Sequence, residues 1–166
     1  MKIVITGATS MIGQALCKKL ADLGHEIYAV VRNVSKSNSE LCKTDKIHII
    51  VSEMNQYDSL DEKISVIPDV ACLLAWEGTR GDGRNNDVMQ KSNYVNSMNA
   101  IRCLKKMGCQ KIVIAGSQAE YGPWYKNEKQ TEKSASHPNT AYGIYKLKLY
   151  EGALEFCENK CYNLCP

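Results

Sequence analysis

The chain has 166 residues, 44% of them hydrophobic and 23% charged, which is enough for one globular domain with a full core and too few for two large ones. Its formal net charge of +3 comes without a dense Lys/Arg stripe, so neither nucleic acid nor a membrane surface has an electrostatic case as a partner. No apolar run is long enough for a bilayer span or a signal-peptide core, and a cytoplasmic protein is expected.

Lys2-Ile3-Val4-Ile5-Thr6 is a short apolar run of β type, followed at once by Gly7-Ala8-Thr9-Ser10-Met11-Ile12-Gly13 and an amphipathic segment to Leu23. Strand, glycine turn and helix in succession suit a pyrophosphate. Gly7 allows the tight turn, Gly13 allows the helix to pack closely on the strand, and the first helical N–H groups face an anion. Gly7, Thr9, Ser10, Met11, Ile12 and Gly13 are the expected contacts; a turn that merely connects strand to helix is the plain alternative. Glu26 to Val31 makes a second strand ending in Arg32. In dinucleotide folds the residue at this tip, roughly 20 positions past the glycines, meets the adenosine ribose, and an acid there favours NAD. A guanidinium instead suits a 2′-phosphate, with Ser35 and Lys36 close behind as further donors, so NADP is expected ahead of NAD. An arginine solvated at a loop edge is the competing reading.

Residues 33 to 45 are polar and loop-like, and Lys46 to Val51 is a third strand, followed by Glu53 and Met54 where side chains would border the adenine. Tyr57 to Ile64 is read as helical. Val70 to Ala75 is a continuous apolar run, as in a strand buried on both faces. Trp76 to Asn86 is read as the rim loop of a site or as plain surface. A long helix from about Asp87 to Met107 has apolar residues at helical spacing (Val88, Val95, Met98, Ile101, Leu104), and Gly108 ends it. Lys111 to Ser117 is a fifth strand, which puts Ser117 at a carboxyl end, where the ligands of a parallel sheet gather.

Residues 118 to 138 form a longer loop, and Asn139 or Thr140 is the expected cap of a helix from about 141 to 160. Tyr142 and Lys146, four apart, share a face of its first two turns. A free phenol is a poor acid or base at neutrality, but a nearby ammonium favours its ionised form, so the pair suits proton transfer. The eight cysteines include no C-x-x-C pair and read as reduced, buried small hydrophobes. Cys157, Cys161 and Cys165 recur at intervals of four without a fourth ligand, so no metal site is expected.

Several segments together carry a family resemblance. Thr6-Gly7-x-x-Ser10-x-x-Gly13, the strand ending at Leu74-Ala75, Asn93-Tyr94-Val95-Asn96-Ser97-Met98-Asn99, Ser117-Gln118-Ala119-Glu120-Tyr121-Gly122 and Tyr142-x-x-x-Lys146 resemble, in order and spacing, the extended short-chain dehydrogenases of the NAD(P)-dependent sugar epimerase/dehydratase family. Ser10 departs from that pattern, standing where its middle glycine would be. The resemblance covers essentially the whole chain. It implies an α/β fold, a doubly wound parallel sheet of the Rossmann type over residues 1–166, with Leu74 and Ala75 also beside the cofactor. It further implies that Tyr142 is the general acid/base, that Lys146 eases its ionisation and holds the nicotinamide ribose, that Ser117 hydrogen-bonds the reacting sugar oxygen, and that Asn93 supports the site.

Family dehydratases resemble one another in carrying acidic residues just after the Ser117 position, where this chain has Gln118-Ala119. A 4-ketoreductase or 4-epimerase of a nucleotide-linked sugar is therefore expected ahead of a 4,6-dehydratase, with cell-surface polysaccharide synthesis as the setting, and Arg32 tilts the choice toward reduction. Family members are nearly twice this length, so the chain is expected to be the cofactor half without its substrate lobe. The alternative is a non-catalytic NADP-binding or sensor module. The resemblance also implies a homodimer through the helices near 87–107 and 141–160.

Overall fold

A computed structural model describes residues 1–34, 41, 44–123, 129–131, 133–158 and 164–165. Ser35 and Lys36 lie outside them. The described elements are β1 (Lys2–Thr6), α1 (Met11–Asp22), β2 (Glu26–Val31), β3 (Ile47–Val51), a 3-10 stretch Met54–Ser59 running into α2 (Leu60–Lys63), β4 (Val70–Leu73), a 3-10 turn Gly81–Asn85, α3 (Asp87–Lys106), β5 (Lys111–Ile114), a 3-10 turn Gln118–Glu120, α4 (Ala141–Glu158) and β6 (Leu164–Cys165).

All strand pairs are parallel, in the order β3-β2-β1-β4-β5-β6. That is the doubly wound Rossmann order, whose reversal beside β1 opens a crevice at the carboxyl ends of the strands. Period-two alternation distributes the core. From β1, Val4 points to the face covered by α2, α3 and α4, where it joins Leu60, Ile101, Leu104 and Leu149. Ile3 and Ile5 point to the other face, with Cys17 and Ala21 of α1 and with Leu41. Because both faces are covered, β1 reads as an unbroken apolar run.

Helix ends follow local chemistry. Ser10 caps α1 by accepting from the Gly13 amide at 3.0 Å, and Thr140 caps α4 by accepting from the Gly143 amide at 3.1 Å. Helix α1 closes at Gly24 through paired bonds from Gly24 N to Ala21 O and from His25 N to Leu20 O; α3 closes at Gly108 in the same way. Buried Lys105 donates to the carbonyls of Cys109 and Gln110, both at 2.9 Å, and ties the end of α3 to the approach of β5.

Three expectations are corrected. The segment read as helical over 57–64 begins earlier, as the 3-10 stretch, because Glu53 and Gln56 form a capping box. β5 stops at Ile114 rather than Ser117: the Ala115 amide still donates to Leu73 at 3.1 Å, but its carbonyl accepts from the Lys146 ammonium at 2.8 Å. Val88 and Val95 do not belong to the buried stripe of α3: they are 80% and 41% exposed. The helix instead buries Gln90, Asn93, Ser97, Met98, Ile101 and Leu104, so polar side chains occupy part of its inner face.

Candidate active site

The crevice beside β1 is a cleft of about 240 Å³ lined by the turn residues Gly7, Thr9 and Ser10, by Val30, Val31 and Arg32 from β2, and by Met54 and Tyr57, with Leu74, Ala75, Trp76 and Glu77 closing the β4 side. Its floor is a backbone-only approach. Gly7 has φ +66°, and a Cβ there would lie 2.8 Å from the Ala75 amide nitrogen. A Cβ on Gly13 would run into the Gly7 carbonyl, so α1 sits directly on the turn. Buried Thr6 holds the opposite rim, its hydroxyl accepting from the amides of Leu74 and Ala75 at 3.1 and 3.3 Å. Ser10, in the position of the missing glycine, spends an oxygen lone pair on the Gly13 amide and keeps its own proton for an anion. Met11 and Ile12 open the helix with exposed side chains, and their amides have no intrahelical acceptor.

Arg32 reaches across the cleft to Glu77, with 3.0 Å between nitrogen and oxygen. Glu53 does not line the cleft, since its carboxylate takes part in the capping box. Its charge nevertheless reaches the buried Tyr57. Burial pushes the Tyr57 phenol up, and the carboxylates of Glu53 and Glu77 add to that while Arg32 opposes it.

On the β5 side, Tyr142 and Lys146 meet at the Trp76 ring. Lys146, 5% exposed, holds the Ala115 carbonyl and places its ammonium 4.0 Å from the centroid of the Trp76 ring. Tyr142 meets the same indole edge-on, centroids 6.2 Å apart, and carries the Arg84 guanidinium 4.8 Å above its own ring. Ser117 caps the next turn by accepting from the Ala119 amide at 3.2 Å, while its own amide donates to Glu120 at 2.5 Å. Gly143, between the tyrosine and the lysine, lets the start of α4 lie against the turn that Ser117 caps: a Cβ there would overlap the Ala119 carbonyl. Trp76 thus joins the glycine-turn cleft, which it lines, to the tyrosine–lysine pair, which it touches.

The loop over residues 76–86 is a rim loop, and its anchor is not legible in the sequence. Gln90 is fully buried. It accepts from the Trp76 indole at 2.6 Å and donates to Gly83 at 2.7 Å, Gly78 at 3.0 Å and Glu77 at 3.3 Å. Asn93 reciprocates with Glu77, accepting from its amide at 3.1 Å and donating to its carbonyl at 2.9 Å. Asn93 therefore helps to hold the rim loop.

Burial lowers Lys146 to about 8, with the nearby Glu120 carboxylate opposing the shift. Burial raises the Glu120 carboxyl, against the pull of the Ser117 amide and Lys146. The depressed lysine gives the protein a pH signature. Between about 8 and the ordinary value of 10.5 the folded chain binds fewer protons than the unfolded one, so stability rises with pH across that window and is lost again as pH falls through 8. The full shift corresponds to about 3 kcal/mol. In urea unfolding at pH 7.5 and 9.5, Lys146→Met is expected to flatten this rise; an equal rise in both proteins assigns it to another group.

Residues 3–165 match the family model described as the NAD dependent epimerase/dehydratase family. The chain belongs to that family. It is similar to Protein CapI of Staphylococcus aureus, 30% identical over 156 residues that cover 88% of this chain and 46% of that protein. It is also similar to dTDP-6-deoxy-L-talose 4-dehydrogenase (NAD(+)) of Aggregatibacter actinomycetemcomitans, 26% identical over 161 residues, covering 94% and 55%. The structure of the UDP-Glc/GlcNAc 4-epimerase from Campylobacter jejuni superimposes with a TM-score of 0.85 at 22% identity, over 99% of this chain and 51% of that one. UDP-glucose 4-epimerase from Thermus thermophilus, in complex with NAD, does so with a TM-score of 0.85 at 14% identity, over 99% and 53%. The chain spans about half the length of the curated relatives it matches.

A dinucleotide, which membership of this family implies, fits the residues present. The turn offers backbone where a side chain would collide, two helix-opening amides and the free Ser10 proton, in a cleft whose far end carries a guanidinium.

Proposed function

We propose that this chain is the cofactor-binding half of a nucleotide-sugar 4-ketoreductase or 4-epimerase that uses NADP ahead of NAD. The observation that supports the reading is that Tyr142 and Lys146 both pack on the indole that lines the glycine-turn cleft, with the turn that Ser117 caps lying against the start of their helix. The residues that would hold the cofactor are Gly7, Thr9, Ser10, Met11, Ile12 and Gly13 at its phosphates, Arg32 at the adenosine ribose, Met54, Leu74 and Ala75 along its length, and Tyr142 with Lys146 at the nicotinamide ribose. Once bound, the nicotinamide supplies or accepts a hydride.

The chain's own residues manage the proton. Tyr142 delivers a proton to the carbonyl oxygen of the reacting carbon in reduction and removes it from the hydroxyl in oxidation. Ser117 donates to the same oxygen as charge builds there. Lys146, deprived of water, would hold the nicotinamide ribose. A 4,6-dehydratase is disfavoured because Gln118 is spent on the Gly122 carbonyl at 3.2 Å, Ala119 has no acid, and Glu120 is folded back onto the Ser117 amide.

Exposed Val88 and Val95 on α3 and Ile144 and Tyr150 on α4 support a homodimer through these helices, which sedimentation velocity would detect. Reduction is tested in a full-length version that carries a substrate lobe, by adding NADPH and nucleotide-linked 4-ketosugars and following NADPH absorbance. Turnover with at least one is expected there; nicotinamide cofactors that bind that version without turnover would favour the non-catalytic module instead.

A further inference from the structure

We infer that Glu77 is a specificity-determining residue of the cleft: its carboxylate competes with the cofactor's adenosine phosphate for Arg32 and so limits the preference for NADP over NAD. The inference rests on the reading that the cleft takes a dinucleotide. Arg32 follows β2 and Glu77 follows β4, the strands that flank β1. Their 3.0 Å ion pair therefore passes over the end of β1, where the Gly7 turn begins, and both residues line the cleft.

The two partners are not equally free. The Glu77 backbone is fixed on both sides, its amide to Asn93 and its carbonyl to Asn93 and Gln90, and those two side chains are 3% and 0% exposed. Arg32 is 65% exposed on a long stem. The Glu77 side chain is itself 48% exposed, so an entering cofactor meets a carboxylate on an anchored backbone and a guanidinium already committed to it. The remaining charge in the neighbourhood adds to the competition. Tyr57 feels Glu53 and Glu77 against Arg32, so among the described residues around it two acids face one base. A 2′-phosphate must detach the guanidinium from Glu77 and then sit near that carboxylate, whereas a 2′-hydroxyl can accept the pair as it stands and donate to Glu77.

The test is equilibrium titration of NADPH and NADH into the full chain, followed by nicotinamide fluorescence, for the unaltered protein, Glu77→Gln and Arg32→Ala. Glu77→Gln is expected to shift the ratio of affinities toward NADPH by about three- to tenfold, mainly through tighter NADPH binding, with the shift shrinking at high salt. Arg32→Ala is expected to abolish the NADPH preference. A ratio unchanged in Glu77→Gln while Arg32→Ala lowers it overturns the role of Glu77 and leaves the NADP reading standing. An unchanged ratio in both variants overturns both. Equal tightening of the two cofactors makes Glu77 a general repulsive charge and also overturns its role in selection. If neither cofactor binds the unaltered chain, the dinucleotide reading fails and takes this inference with it.

Discussion

In a full-length version that carries a substrate lobe, Tyr142→Phe is expected to lower turnover of a nucleotide-linked 4-ketosugar by about 10²–10⁴-fold, the usual contribution of a positioned acid or base. Its effect on cofactor affinity should be no more than about tenfold, the size expected from one lost hydrogen bond. The substitution is clean because the ring, not the hydroxyl, makes the packing contacts. Tyr142 is 9% exposed, meets Trp76 edge-on and lies beneath Arg84, and a phenylalanine ring fills the same space. Urea midpoints should therefore barely move. Turnover undiminished in the variant would remove Tyr142 from the chemistry, whereas loss of turnover together with loss of stability would point to a structural part for the residue.

The contrast between what could and could not be read from the sequence follows from how far each signal extends along the chain. Strands β1, β2 and β4 announce themselves because both faces are covered, which makes each an apolar run. The turn from Gly7 to Gly13 and the four-residue spacing of Tyr142 and Lys146 are local geometry, so their placement could be anticipated. Gln90 could not. It sits on an otherwise amphipathic helix and serves carbonyls seven to thirteen residues away, partners that no periodicity specifies.

The same holds for the Arg32–Glu77 pair, whose members are 45 positions apart and meet only because β2 and β4 flank β1. Glu120 escapes notice for another reason. The acids that a dehydratase pattern requires stand directly after Ser117, and an acid at the third position is turned back by its own 3-10 turn onto the Ser117 amide. Val88 and Val95 show the converse error: their spacing is helical, but the inward face of α3 is given to side chains that hold the rim loop. A polar inner face that positions a loop looks, in sequence, like an outer one.

Gly13→Ala is expected to destabilise the fold by about 3 kcal/mol, near the upper end for forcing a methyl group into a packed interior, and to abolish measurable NADPH binding. A Cβ at this position would overlap the Gly7 carbonyl and lie 2.8 Å from Ala8 Cα and 2.9 Å from its carbonyl carbon. Every one of these neighbours is backbone, so no side chain can swing aside, and α1 must lift off the turn that its amides complete. Helix propensity acts in the opposite direction, since alanine is favoured over glycine by about 1 kcal/mol inside a helix; the steric term is the larger and decides the sign. Gly24→Ala provides the control. Gly24 has φ +85° with nothing within 4 Å of its missing Cβ, so that variant should lose only the left-handed backbone penalty of about 1–2 kcal/mol and bind NADPH like the unaltered chain. Urea unfolding with parallel NADPH titration separates the two. A Gly13→Ala protein that matches the unaltered chain in both would mean that helix and turn are not in the contact on which the phosphate site depends.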